Sequence, residues 1–131
     1  MKTYLKLISS IFYGIVFCFF LWGYQVPART EKTRVAKLQI EKLEQSLLEF
    51  KKDIGRFPTT TEGLIYLFKN HDSLENWQGP YSNRPYLYID PWENNYIYFY
   101  PAKYGNSEYD LYSVGPNGID EYGLGDDIAN W

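Results

Sequence analysis

Residues 31–55 read EKTRVAKLQIEKLEQSLLEFKKDIG, and their spacing decides the fold. Ala36, Ile40, Leu43, Leu47, Phe50 and Ile54 recur at steps of four and three, which places them on one face of a helix. Glu31, Lys32, Lys37, Lys42, Glu44, Glu49 and Lys52 fall largely off that stripe. Residues that favour helix fill the stretch, and Gly55 ends it, so a helix over 31–54 is expected. An apolar stripe needs a cover. The chain that follows must provide a sheet for it, although the membrane-proximal part of the stripe could also meet neighbouring copies.

Upstream, Leu7 to Tyr24 carry no charge: LISSIFYGIVFCFFLWGY. That length suits a helix crossing a hydrocarbon core. Lys2 and Lys6 precede the run, and Trp22 and Tyr24 sit at its far end, as interfacial aromatics do. A cleaved signal peptide is the competing reading, with Val26-Pro27-Ala28 as a small-residue cleavage site. The expectation is a retained anchor over 1–28 and an exported domain over 29–131. Either reading sends the domain out of the cytoplasm.

Downstream, Pro58 stops helix continuation, and Thr59 with Glu62 has the spacing of a capping box. A short helix should follow, burying Leu64, Ile65, Leu67 and Phe68. Residues 70–85 read as a loop pinned by Trp77. Tyr86–Ile89, Tyr96–Tyr100 and Tyr109–Ser113 are rich in aromatic and β-favouring residues and are separated by turn clusters. They are expected as three strands of a small antiparallel sheet. The fold class is therefore α+β.

The chain has 131 residues, a net charge of −3 and 20% aromatic content. That balance gives no basic field for nucleic acid. One cysteine, Cys18, and one histidine, His71, exclude an intrachain disulfide and a thiolate zinc site. His71 reads as a solvated loop residue. No Lys or Arg follows Lys103, while Glu108, Asp110, Asp120, Glu121, Asp126 and Asp127 do, among several glycines. Such a tail either stays solvated or is gathered by a hard cation; calcium accepts oxygen ligands in flexible geometry. The spacing is not that of an EF-hand. Asp126 and Asp127 are adjacent in a flexible loop. They are poorly placed to flank a substrate as acid and base, so no enzyme is expected.

Five ordered blocks carry a resemblance. Asp53-Ile54-Gly55-Arg56-Phe57-Pro58-Thr59-Thr60 with Glu62-Gly63-Leu64 is similar to "DNGRYPTTEQGL". Trp77-Gln78-Gly79-Pro80-Tyr81 matches "W-x-GPY", and Asp90-Pro91-Trp92-Glu93-Asn94 is similar to "DPWGN". Tyr109 to Gly118 resembles "YDLYSLGADG", and Asp126-Asp127-Ile128-Ala129-Asn130-Trp131 resembles "DDIGNW". Together they resemble the major pseudopilin family of the type II secretion system. The resemblance implies a pilin-like fold, with a long amino-terminal helix on a small antiparallel sheet and a calcium-binding carboxyl-terminal loop. By position, the implied metal ligands are Val114 and Gly123 through their carbonyls and Asn117, Asp126 and Asp127 through side chains, with Asp120 as a possible substitute. It further implies a structural subunit of a periplasmic pseudopilus that supports protein export across the outer membrane. That subunit would be anchored once in the inner membrane and would assemble with copies of itself and with other pseudopilins. It would act on no nucleic acid and no small-molecule substrate. The family's leader Gly-Phe and the Glu at its fifth mature position have no counterpart here; Leu5 stands near where that Glu would fall. This departure leaves a second reading, an anchored periplasmic pilin-like binding module that does not polymerise.

Overall fold

In the computed structural model, the described residues are 30–82 and 88–131. The expected anchor over 1–28 and residues 86 and 87 of the first expected strand lie outside them. Among the described residues, no helix is long and apolar enough to cross a membrane.

Helix α1 runs through residues 30–54. Its stripe behaves as the spacing dictates. Ala36, Leu43, Leu47 and Phe50 are fully buried, Ile40 nearly so, and Ile54 packs at the edge of the same core. Each buried Leu or Phe stabilises this domain, the head of the protein, by roughly 1.5–3 kcal/mol of transfer free energy. Gly55, at a positive φ of 84°, takes the left-handed turn that ends the helix, and its N–H donates to the Lys51 carbonyl at 2.8 Å.

The next turn is held by reciprocal bonds. The Glu62 N–H donates to Thr59 Oγ1 (3.2 Å), and the Thr59 N–H donates to Glu62 Oε2 (2.6 Å). This is the capping box expected from the spacing. Arg56 adds a two-pronged bond to the same carboxylate at 2.6 and 2.7 Å. The helix that follows is only a single 3-10 turn, Leu64–Leu67. Leu64 and Leu67 are buried as expected, but Ile65 is exposed and Phe68 only half-buried. Three residues per turn bring Leu64 and Leu67 to one side and leave Ile65 facing out.

Among the described residues, three strands form the sheet: β1 (Ile97–Phe99), β2 (Asp110–Ser113) and β3 (Ile128–Ala129), in the order β1-β2-β3, all antiparallel. Tyr98 pairs with Leu111, and Ser113 pairs with Ile128. The sheet differs from the expected one at both ends. Where it is described, the first expected strand supplies only a bridge between Ile89 and Asn95. The third strand is instead Ile128–Ala129, within the tail read as a loop. A two-residue strand is too short to show alternation, so pairing with β2 is what defines it.

Tyr98, Leu111 and Ile128 join the α1 stripe in one core. The contact also carries hydrogen bonds. The Tyr96 hydroxyl donates to the Ala36 carbonyl (3.2 Å), and Asn130 Nδ2 donates to Glu44 Oε1 (3.2 Å). β2 is buried on both faces. Its second face, Asp110 and Tyr112, is covered by the chain's own loops. Asp110 accepts the N–H groups of Lys103, Tyr104 and Gly105 at 2.6–2.9 Å, and Tyr112 meets the Trp131 ring edge-on at 5.8 Å. Three amide donors offset the cost of burying that carboxylate. Trp77 pins its loop as expected, donating from Nε1 to the Tyr66 carbonyl at 3.0 Å.

Candidate functional site

The loop from Val114 to Asp127 joins β2 to β3 and carries four carboxylates and no cation of its own. Two glycines set its path. Gly115 has φ 66°, and a Cβ there would lie 2.2 Å from the Asp126 carbonyl oxygen. Gly125 has φ 58°, and a Cβ there would lie 2.2 Å from Glu121 Oε2. At Gly115 the obstacle is backbone and only glycine permits the approach; at Gly125 the obstacle is a movable carboxylate, and it is the positive φ that favours glycine.

The loop sorts its acids into three settings. Glu121, Asp126 and Asn117 form one. Asn117 Nδ2 donates to Glu121 Oε2 at 3.2 Å and to Asp126 Oδ1, while Asn117 Oδ1 accepts the Ile119 N–H at 2.7 Å. The Asp126 N–H also donates to Glu121 Oε2, at 3.2 Å. Asp127 lies in a second setting. Its Oδ2 accepts the N–H groups of Glu121 (3.0 Å) and Gly123 (2.8 Å), and its Oδ1 is buried with no hydrogen-bond partner among the described residues. Burial raises the proton affinity of Asp127; the two amides act against this, and the charges of Asp120 and Glu121 add to it. Asp120 faces the sheet, accepting the Tyr112 hydroxyl at 3.0 Å and the Tyr122 N–H at 2.9 Å. Burial first, and then that bond to Asp120, keep the Tyr112 phenol protonated.

The structure thus brings Asn117 and Asp126 together and sets Asp127 on the loop's own amides. Gly123 meets Asp127 through its N–H, and Val114 is buried. Glu121 is a residue that sequence reasoning did not select. Among the described residues, no three His, Cys, Asp or Glu side chains converge as a ready-made metal cluster. The donor chemistry nonetheless suits a hard cation. Every candidate ligand atom is oxygen, and Asp127 Oδ1 is an oxygen without a partner.

A groove of about 450 Å³ lies elsewhere, lined by Thr60, Gly63, Leu64, Ile65, Tyr88, Asn95, Tyr96 and Tyr98. Its lining is apolar and aromatic, with the phenols of Tyr88, Tyr96 and Tyr98, the Thr60 hydroxyl and the Asn95 amide as its polar groups.

Comparison with known proteins agrees with this architecture. The family model described as type II secretion system (T2SS), protein G, matches residues 25–131. The type II secretion system core protein G of Escherichia coli K12 is 39% identical over 92 residues, covering 68% of this chain and 60% of that protein. Its namesake in Pseudomonas aeruginosa is 35% identical over 114 residues, covering 82% and 78%. The match spans only about 60% of the Escherichia coli relative's length. Among solved structures, the major pseudopilin from the type 2 secretion system of enterohaemorrhagic Escherichia coli superposes with a TM-score of 0.67 at 29% identity. That match covers 80% of this chain and 87% of that one.

Proposed function

Because the chain belongs to the protein G family of the type II secretion system, we propose that it is a structural subunit of a pseudopilus. In this reading residues 1–28 hold it once in the inner membrane and residues 29–131 stand in the periplasm. Copies assemble with one another and with other pseudopilins to support protein export across the outer membrane. The carrying observation is the packing of the α1 stripe on the three-stranded sheet, the architecture shared with a solved major pseudopilin. Its work is mechanical; it acts on no small molecule and on no nucleic acid.

The carboxyl-terminal loop in this reading is held by calcium. Asp126, Asp127 and Asn117 would supply side-chain oxygens, and Val114 and Gly123 would supply carbonyls, with Asp120 nearby as a substitute. When bound, the ion supplies positive charge that offsets the loop's carboxylates. The unpartnered Asp127 Oδ1 and the lack of any Lys or Arg after Lys103 support this assignment.

Assembly is tested by cross-linking in native membranes. Cysteines introduced in pairs on the exposed side of α1 and on the head should yield a ladder of multimers on oxidation. Deleting the gene should stop export. A chain that stays monomeric while export continues would overturn the reading.

A further inference from the structure

The geometry points to Asn117 as a self-modifying residue. The Gly118 nitrogen attacks the Asn117 side-chain amide, ammonia leaves, and water opens the ring to aspartate or isoaspartate. The step balances with water as its only co-reactant. A bond forms between the Gly118 nitrogen and Asn117 Cγ, and the bond from Cγ to Nδ2 breaks. The departing ammonia carries off the proton from Gly118. Water then cleaves the five-membered imide at either of its two carbonyls, and no electron changes hands.

Four observations carry this. First, the attacking nitrogen belongs to a glycine. A side chain on the following residue would obstruct ring closure, and the space where a Gly118 Cβ would stand holds nothing within 4 Å. Second, Asn117 and Gly118 are both exposed, so water reaches the imide. Third, among the described residues the Gly118 N–H is held by a long 3.4 Å bond to the Gly115 carbonyl. Fourth, the Ile119 N–H already donates to Asn117 Oδ1 at 2.7 Å. Negative charge gathers on that oxygen when the nitrogen adds to Cγ, so the donor is in place before the reaction begins.

The consequence follows from hydrogen-bond inventory. As an amide, Asn117 donates to Glu121 and Asp126 and holds them together without a cation. As a carboxylate it can only accept, and it faces two like charges. The modification therefore turns a loop closed by its own amide into one that needs a cation to close. This last step rests on the calcium reading; the chemistry at Asn117 does not.

The test uses the full chain in detergent, incubated at mildly alkaline pH and sampled by peptide mass mapping. The peptide carrying residue 117 should gain the mass of one amide-to-acid exchange several-fold faster than Asn106, an exposed asparagine followed by Ser107. Asn117→Gln, which keeps the amide but would need a larger ring, should not gain it. No gain at Asn117, or a gain no faster than at Asn106, overturns the proposal. Freshly made Asn117→Asp should melt lower than fresh wild type in chelator and recover more on adding calcium. If Asn117 converts but calcium shifts neither protein, the modification stands and the calcium reading falls.

Discussion

Glu62 and Asp127 carry the same formal charge, yet folding moves their proton affinities in opposite directions. The Arg56 guanidinium, bonded through both nitrogens, holds Glu62 below the ordinary glutamate range. Burial pushes Asp127 up. The signs follow by linkage. For Glu62 the unfolded chain binds its proton first, so the pair's stabilisation is complete above the unfolded Glu value of ~4.3 and is lost as pH falls through the folded pKa. For Asp127 the folded chain binds its proton first, so stability declines as pH rises from the unfolded Asp value of ~3.9 through the raised folded pKa. Thermal melts across the acid range should separate the two. Glu62→Gln should flatten the loss on the acid side, and Asp127→Asn should remove the decline on the rising side when calcium is chelated. Melting curves of both variants that parallel wild type would refute these assignments.

At the scale of the element, α1 is a helix whose core face and solvent face can be told apart by one residue step. Leu47 is fully buried and Leu48 is 56% exposed. Leu47→Ala should therefore cost about 2–5 kcal/mol, a transfer loss plus a cavity the packed core cannot close. Leu48→Ala should stay within about 0.5 kcal/mol. Denaturant unfolding of the two variants checks the contrast, and equal costs would mean the stripe has been misplaced. The sheet is less autonomous. Its strands are two to four residues long, and β2 is buried on both faces only because Asp110 gathers residues 103–105 and Trp131 covers Tyr112. Strands that short depend on the helix and loops for their stability.

For the whole molecule, the unsettled balance is in the carboxyl-terminal loop, where Asn117 bridges two acids and Asp127 leaves one oxygen unmet. A ligand that binds only the folded head raises its stability by about 2.7 kcal/mol at a hundredfold excess over its dissociation constant. For a head of this size that corresponds to a rise in melting temperature of roughly 10 °C or more. Calcium against chelator should show that rise, and replacing Asp126 and Asp127 with alanine should abolish it. A melting temperature indifferent to calcium would leave the loop closed by hydrogen bonds alone. The reach of the sequence can be judged residue by residue. The stripe from Ala36 to Ile54, the stop at Gly55 and the Thr59–Glu62 capping box were legible because each depends on neighbours within a turn or two of the chain. The Ile128–Ala129 strand, the burial of both faces of β2 and the part played by Glu121 were not. Each exists only because residues far apart in the chain, or on opposite sides of a folded loop, come within bonding distance. Local periodicity by itself determined the spine and its turn. Tertiary contact decided which edge completed the sheet and which acids met, because pairing and charge separation are properties of distances that no linear spacing contains.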